Sequence, residues 1–227
     1  MRMSETDKTG VTSQTLERGL AALEVIAHRG PCSAADVARE LSLHRSITYR
    51  LLTTLELRGY VERDEAGRYR VGPAPAMVAA AVRRDLRAVA EPELRRVAES
   101  LGTTAFLVVP QHEEALTLLS VEPVDTPVHI TYRPGLRHAL TRGAPGLAIL
   151  AALPPRPDER PEVTLARDLG YVRTTGEVVP GLSAVAVPVR SASGRVAAVC
   201  TMFAPGAVDE RAAVAALTTA AEVLRAV

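Results

Sequence analysis

Residues 34–72 constrain the fold more than any other stretch of the chain: AADVARELSLHRSITYRLLTTLELRGYVERDEAGRYRVG. Ala34, Val37, Ala38 and Leu41 recur at helical spacing, and so do Ile47, Leu51, Leu52 and Leu55. Ser42-Leu43 interrupts the two runs, with Leu43 placed to plug the turn. The second helix, from about His44 to Leu57, ends at Gly59. Two short β-branched and aromatic runs then flank the polar turn Asp64-Glu65-Ala66-Gly67. Helix, tight turn, helix and hairpin is the plan of a winged helix-turn-helix, whose second helix fits the major groove of DNA. Ser33 is a candidate N-cap for the first helix of the pair, with Asp36 at its third position.

The apolar positions leave His44, Arg45, Ser46, Thr48, Tyr49, Arg50 and Thr53 on the outer face of the second helix. No acid stands between Ser42 and Leu55. Arg pairs bidentately with guanine, and Ser, Thr and Tyr reach phosphates or base edges. Arg68 and Arg70 follow the wing turn and can reach the flanking backbone. The expected DNA-contact set is therefore His44, Arg45, Ser46, Thr48, Tyr49, Arg50 and Arg68. The competing reading is a solvated face on a protein-docking module. Residues 11–72 hold nine Arg against eight Asp or Glu, so the basic character is local. A focused footprint fits this better than non-specific coating of DNA.

The polar start MRMSETDKTG lacks the apolar core of a signal peptide, so residues 1–11 read as a disordered tail. No apolar run reaches the length of a membrane span, and a soluble, cytoplasmic protein is expected. Cys32 and Cys200 sit in no metal or redox spacing and read as free thiols. The five His (28, 44, 112, 129 and 138) show no ligand spacing, though His129 and His138 can meet in space. No acid–base pair, nucleophile elbow or phosphate-binding loop is legible, which argues against an enzyme. No metal and no cofactor are expected.

Before the pair, Gln14 to His28 form a first helix, with Leu16, Leu20, Leu23 and Ile26-Ala27 as the packed face, stopped by Gly30-Pro31. The module spans 12–72. Pro73-Ala74-Pro75 opens an Ala-rich connecting helix over 73–89, whose small-residue face suits dimer contact. Pro92 is placed to open another helix, closed by Gly102. From Thr103 the period switches to strands: TTAFLVVPQ, EALTLLSVEP and PVHITYRPG. A helix follows in ALTRGAPGLAILAALP, then a Pro-rich loop, a short helix, a strand, two strong strands (LSAVAVPVR and RVAAVCTMFAP) and a last helix from Asp209. With aromatics at 3% of the chain, Leu, Val and Ala must fill this core. The fold class is α+β, with residues 90–227 forming a mainly antiparallel sheet with helices around it.

Taken together, SITYRLLTTLELRGYVERDEAGRYRVG, RGLAALEVIA, LTRGAPGLAILAALP and GYVRTTGEVVPGLSAVAVPVRSASGRVAAVCTMFAP resemble, in order and spacing, the IclR family of bacterial transcription regulators. The resemblance covers nearly everything from Ser13 onward. It implies an N-terminal winged helix-turn-helix, a connecting helix and a C-terminal GAF-like effector domain. It further implies dimers, often paired into tetramers, on double-stranded DNA with a near-palindromic operator. A small-molecule effector, an organic acid or an aromatic metabolite, is implied in the second domain, and repression is the commoner behaviour. The adaptor with a retired helix-turn-helix and the regulator with a vestigial pocket stay open as alternatives.

The same resemblance places the effector site at Arg142, Gly143, Ala144, Thr174, Ala184, Thr201 and Phe203. Several polar groups common in the family are absent: Thr141 stands for a His or Tyr, Leu147 for a Lys, Ala184 for a Cys, Thr174-Thr175 for an acidic pair, and Thr201 and Phe203 for two Ser. Donors for a small carboxylate would be the backbone around Gly143-Ala144, the Thr201 hydroxyl or Arg142, with Arg133 nearby. The implied effector is larger and less polar than a small keto-acid, or the pocket is partly filled.

Overall fold

The computed structural model describes residues 13–81, 84–124 and 132–226. Two compact units divide the chain, residues 1–82 and 83–227. The expected tail, 1–11, lies outside the described residues.

The first unit contains α1 (Gln14–Arg29), α2 (Ala34–Glu40), α3 (Arg45–Leu57), the hairpin strands β1 (Val61–Arg63) and β2 (Tyr69–Val71), and α4 (Ala74–Ala81). Ser33 and Asp36 form the reciprocal capping box that opens α2. The core is small: Ala22, Ile26, Val37, Leu52, Val61 and Tyr69 are buried together with Cys32. Cys32 also exchanges backbone hydrogen bonds with Tyr69, which ties the α1–α2 connection to the wing. At Gly72 the chain passes so close to Gly59 that an added Cβ would stand 2.4 Å from the Gly59 carbonyl oxygen, so a side chain is excluded there.

The packed face of α1 differs from the expected one. Leu16 and Leu20 are 63% and 51% exposed, and Ala27 is exposed as well. The buried side is Gly19, Ala22 and Ile26. Small residues line this side of α1, and a Cβ on Gly19 would meet the Leu51 side chain at 3.8 Å.

The second unit is a six-stranded antiparallel sheet in the order β5-β4-β3-β8-β7-β6. Its strands are β3 (Ala105–Gln111), β4 (Glu114–Val121), β5 (Arg137–Ala139), β6 (Val172–Thr175), β7 (Ser183–Arg190) and β8 (Val196–Phe203). One face packs Leu107, Val185, Val187 and Val199 under α5 (Arg84–Leu101) and α8 (Glu210–Arg225). The other packs Phe106, Val108, Ala186 and Met202 under α6 (Gly143–Ala152) and α7 (Pro161–Leu169). An α+β chain with a mainly antiparallel second unit is the fold class expected. Near its start α6 crosses the Leu140 backbone closely: a Cβ on Gly146 would meet the Leu140 oxygen at 2.4 Å.

Two expectations fail here. Pro92 does not open a helix; it lies inside α5. An internal Pro costs a helix about 3 kcal/mol, but the buried stripe Leu86, Ala90, Leu94, Val97 and Ala98 runs through it, and burial at about 1.5–3 kcal/mol per large side chain offsets that cost. The 89–90 junction drawn from the sequence therefore falls within a continuous helix. Of the strand expected over 127–135, residues 127–131 lie outside the described residues, Tyr132-Arg133 are irregular and Pro134-Gly135 form a turn. The edge strand is Arg137–Ala139 instead, with His138 opposite Ala115.

Candidate functional site

His44 caps α3: its ring nitrogen Nδ1 accepts from the Ser46 backbone N–H at 3.3 Å and lies 2.8 Å from the Ser46 hydroxyl. Arg45, Ser46, Tyr49 and Arg50 are exposed on the following turns. Thr48 is not. It is fully buried, and its hydroxyl donates to the His44 carbonyl at 3.3 Å. Ile47, expected in the core, is 38% exposed. Thr48 aligns with Leu51 and Leu52 at i+3 and i+4, so the buried stripe runs one residue further round than apolar spacing suggested. Thr48 thus leaves the DNA-contact set. Thr48→Val should leave operator affinity unchanged in a mobility-shift titration and move stability by about 1 kcal/mol or less. A large affinity loss would return Thr48 to the interface.

Charge is distributed unevenly over this unit. Arg68 pairs with Asp64 at 2.9 Å, while Asp64 also accepts the Ala66 and Arg68 backbone N–H groups, so this arginine helps to hold the wing turn. These hydrogen bonds and the Arg68 charge hold the Asp64 carboxyl below its ordinary range. Arg70 pairs with Glu62, and Arg63 with Glu56 while stacking over the Tyr69 ring at 4.6 Å. Among the described residues no acid pairs with Arg45 or Arg50. Arg45 and Tyr49, the latter 52% exposed, line a groove of about 230 Å³ with Ser33, Arg63, Gly67 and Tyr69. Sequence spacing missed Arg63 as part of this groove, because the wing brings it there.

In the second unit a cavity of about 20 Å³ lies at the start of α6. Phe106 and Tyr132 stack beneath it, ring centroids 4.3 Å apart, and Met202, Val178, Val179 and Leu182 close it. Burial pushes the Tyr132 phenol up to about 12, so it stays protonated. Gly143, Ala144, Thr174 and Ala184 line the cavity. Thr201 and Phe203 do not. Both belong to the opposite sheet face: Phe203 packs under α5 and α8, and the buried Thr201 hydroxyl donates to the Thr104 carbonyl. The cavity side of β8 is Ala198, Cys200 and Met202, a one-residue phase difference that inverts every side chain. Arg142 is exposed and gives its Nε–H to the Glu177 carbonyl instead of entering the cavity. Arg133 is exposed and absent from the lining.

Glu177 was not anticipated. Its carboxylate accepts the Gly143 backbone N–H at 2.8 Å and both arms of the Arg160 guanidinium at 2.9 and 3.1 Å. Hydrogen bonding to Arg160, with help from Gly143, holds its carboxyl below the ordinary range. Thr174 accepts the Ala144 N–H at 2.9 Å. His138 lies beside Gly143, its ring carbon Cε1 3.7 Å from where a Cβ would stand, and burial pushes its imidazole down. His129 lies outside the described residues. Among those described, no cluster of three or more His, Cys, Asp or Glu is arranged to hold a metal ion. Cys32 and Cys200 are both free and buried, and burial raises both thiols.

Residues 15–65 match the IclR helix-turn-helix domain. Over 217 residues the chain is 29% identical to the HTH-type transcriptional regulator BhcR of Paracoccus denitrificans, spanning 85% of this chain and 77% of that protein. Over 219 residues it is 27% identical to the HTH-type transcriptional repressor AllR of Escherichia coli, spanning 85% and 80%. Its structure is similar to that of an IclR homologue from Microbacterium hydrocarbonoxydans complexed with 4-hydroxybenzoate, with a TM-score of 0.79, 26% identity, and 93% and 97% of the two chains covered. The chain carries an IclR helix-turn-helix domain and is similar over most of its length to HTH-type transcription regulators and to a solved IclR homologue.

It is accordingly a DNA-binding transcription regulator. Where this chain departs from the motif common in the IclR family, the structure gives the setting. Leu147 is fully buried in α6, a position that would strongly disfavour a charged Lys, whereas Thr141 is exposed. Among the described residues no helix is long and apolar enough to cross a membrane.

Proposed function

We propose that the protein is a repressor that binds a near-palindromic operator as a homodimer, with a dimer of dimers as its higher assembly. In this reading α3 of each protomer enters the major groove, the two about one helical turn (~34 Å) apart. Arg45, Ser46, Tyr49 and Arg50 face the DNA. His44 positions the start of the helix, and Arg68 holds the wing against the backbone. The carrying observation is the pair Arg45 and Arg50: the wing arginines are neutralised by their own acids, and among the described residues no acid pairs with these two. A docking adaptor would have no need of such an acid-free helix face.

The second unit is read as a GAF-like effector domain whose ligand lies over Phe106 and Tyr132. The ligand acts only through its different affinity for the DNA-competent and DNA-incompetent states. The segment 73–89, which includes α4 and the start of α5, is assigned the transmitting role; residues 82–83 lie outside the described ones. An aromatic effector suits the stacked rings, and the 4-hydroxybenzoate held by the Microbacterium relative makes aromatics the first class to try. A cavity of about 20 Å³ holds no more than a water, so binding requires the roof at Val178, Val179 and Leu182 to move.

The test is a mobility-shift titration on DNA upstream of the protein's own gene and its neighbours, with excess random competitor. Binding that survives the competitor and weakens with salt is expected, with a log–log slope of about −0.9 per phosphate contact. No shift on any fragment, with or without aromatic ligands, would favour the adaptor reading.

A further inference from the structure

We propose that Glu177 sets the ligand specificity of the second-unit cavity: its carboxylate fills, from within the chain, the place an acidic ligand would take, so the cavity selects uncharged, largely apolar ligands and disfavours carboxylates. The inference rests on reading this cavity as the effector site.

The start of α6 has few donors to offer. The Gly143 N–H goes to Glu177 at 2.8 Å and the Ala144 N–H to Thr174 at 2.9 Å. Pro145, the next residue, has no N–H at all. The cation paired with Glu177 is also engaged: Arg160 forks onto it and holds Glu162 at 2.7 Å as well. Among the described residues no Lys, Arg or His lines the cavity, and the one carboxyl in its lining is Glu177. Its paired geometry keeps it ionised at neutral pH. An entering carboxylate would therefore meet a like charge, with the Gly143 and Ala144 N–H groups already taken.

Competition adds to this. A side chain tethered a few bonds from its site presents an effective concentration of about millimolar or more, so a free acid must first outcompete Glu177. Phe106, Tyr132, Val179 and Met202 offer the opposite reward, apolar contact for an uncharged ring. The roof and the carboxylate are one segment. Val178 packs so tightly over Gly143 that an added Cβ would stand 2.4 Å from its methyl group, and Glu177 pins that segment to α6.

The experiment uses the full chain and two near-isosteric probes, benzoate and benzamide, read by calorimetry and thermal unfolding. Wild type is expected to bind benzamide at least about tenfold more tightly than benzoate. Glu177→Ala should reverse the order, because the Arg160 fork and the Gly143 N–H are then free for an external carboxylate. Glu177→Gln keeps the side-chain shape and an acceptor for Gly143, and should narrow the difference. A second readout needs no aromatic ligand: Glu177→Ala should melt below wild type, and acetate, but not acetamide or chloride, should raise its Tm while leaving wild type unmoved. Benzoate binding wild type as tightly as benzamide would overturn the inference, as would a Glu177→Ala protein that acetate does not stabilise. If neither aromatic binds any form, the acetate result decides. Failure of the regulator reading would appear separately, as DNA binding that is absent or indifferent to ligand while the carboxylate order still reverses.

Discussion

Phe106→Ala should destabilise the second unit by about 3–5 kcal/mol, the sum of lost transfer energy and the cavity left behind. Phe106 is buried on β3 with its ring against Tyr132. Its layer also holds several small side chains, including Ala115, Ala144, Ala148, Ala186 and Ala198. These cannot extend into a vacated space, so little collapse is available, and the cost should fall toward the upper part of that range. In denaturant titration the midpoint should drop with an unchanged slope, and Tm should fall by roughly 2–4 °C per kcal/mol. Phe106→Leu should cost less. Because the new space adjoins the ligand cavity, a small neutral aromatic such as toluene should stabilise the Ala variant and not wild type. A loss under about 1 kcal/mol would mean that Tyr132 swings in to fill the gap, and the stacked rings would then be a poor foundation for an aromatic site.

What could be read from sequence follows a physical division. The helix-turn-helix and its hairpin were legible because their signals are local: a capping box at Ser33 and Asp36, a break at Ser42-Leu43, and a polar turn ending in Gly67. The phase of each buried face was harder. On α3 the misplaced pair, Ile47 and Thr48, are neighbours at the edge of the stripe, where one residue of rotation decides burial. On α1 the buried side took Gly19 and Ala22 over the larger Leu16 and Leu20, which an apolar count favours. On β8 all eight residues are buried. A strand covered on both sides carries no polar mark to fix its alternation, so nothing in β8 itself corrects the resemblance, which puts Thr201 and Phe203 on the cavity face in place of Cys200 and Met202. Glu177 had no local signal at all. Its partners Arg160 and Gly143 lie 17 and 34 residues away, and only folding brings them together.

Arg45→Ala should weaken the specific operator by about 1–3 kcal/mol, roughly 5- to 150-fold in Kd, while changing random-DNA affinity far less. Arg45 opens α3, directly after the His44 cap, and the N-terminal residues of a recognition helix are those that reach base edges. Its guanidinium has no acid to leave behind among the described residues, so entering the groove costs it no ion pair. Arg50 lies more than a turn further along, at i+4 from Ser46, where flanking phosphates are the nearer target. Arg50→Ala should therefore weaken specific and random DNA alike and lower the salt slope by about one. The two variants act as each other's control. If Arg45→Ala also weakened both DNAs equally, its contact would be to phosphate, and specificity would have to come from Ser46 and Tyr49 or from DNA shape. If neither variant changed binding, α3 would not be the reading helix, and the acid-free face that supports the regulator mechanism would lose its role.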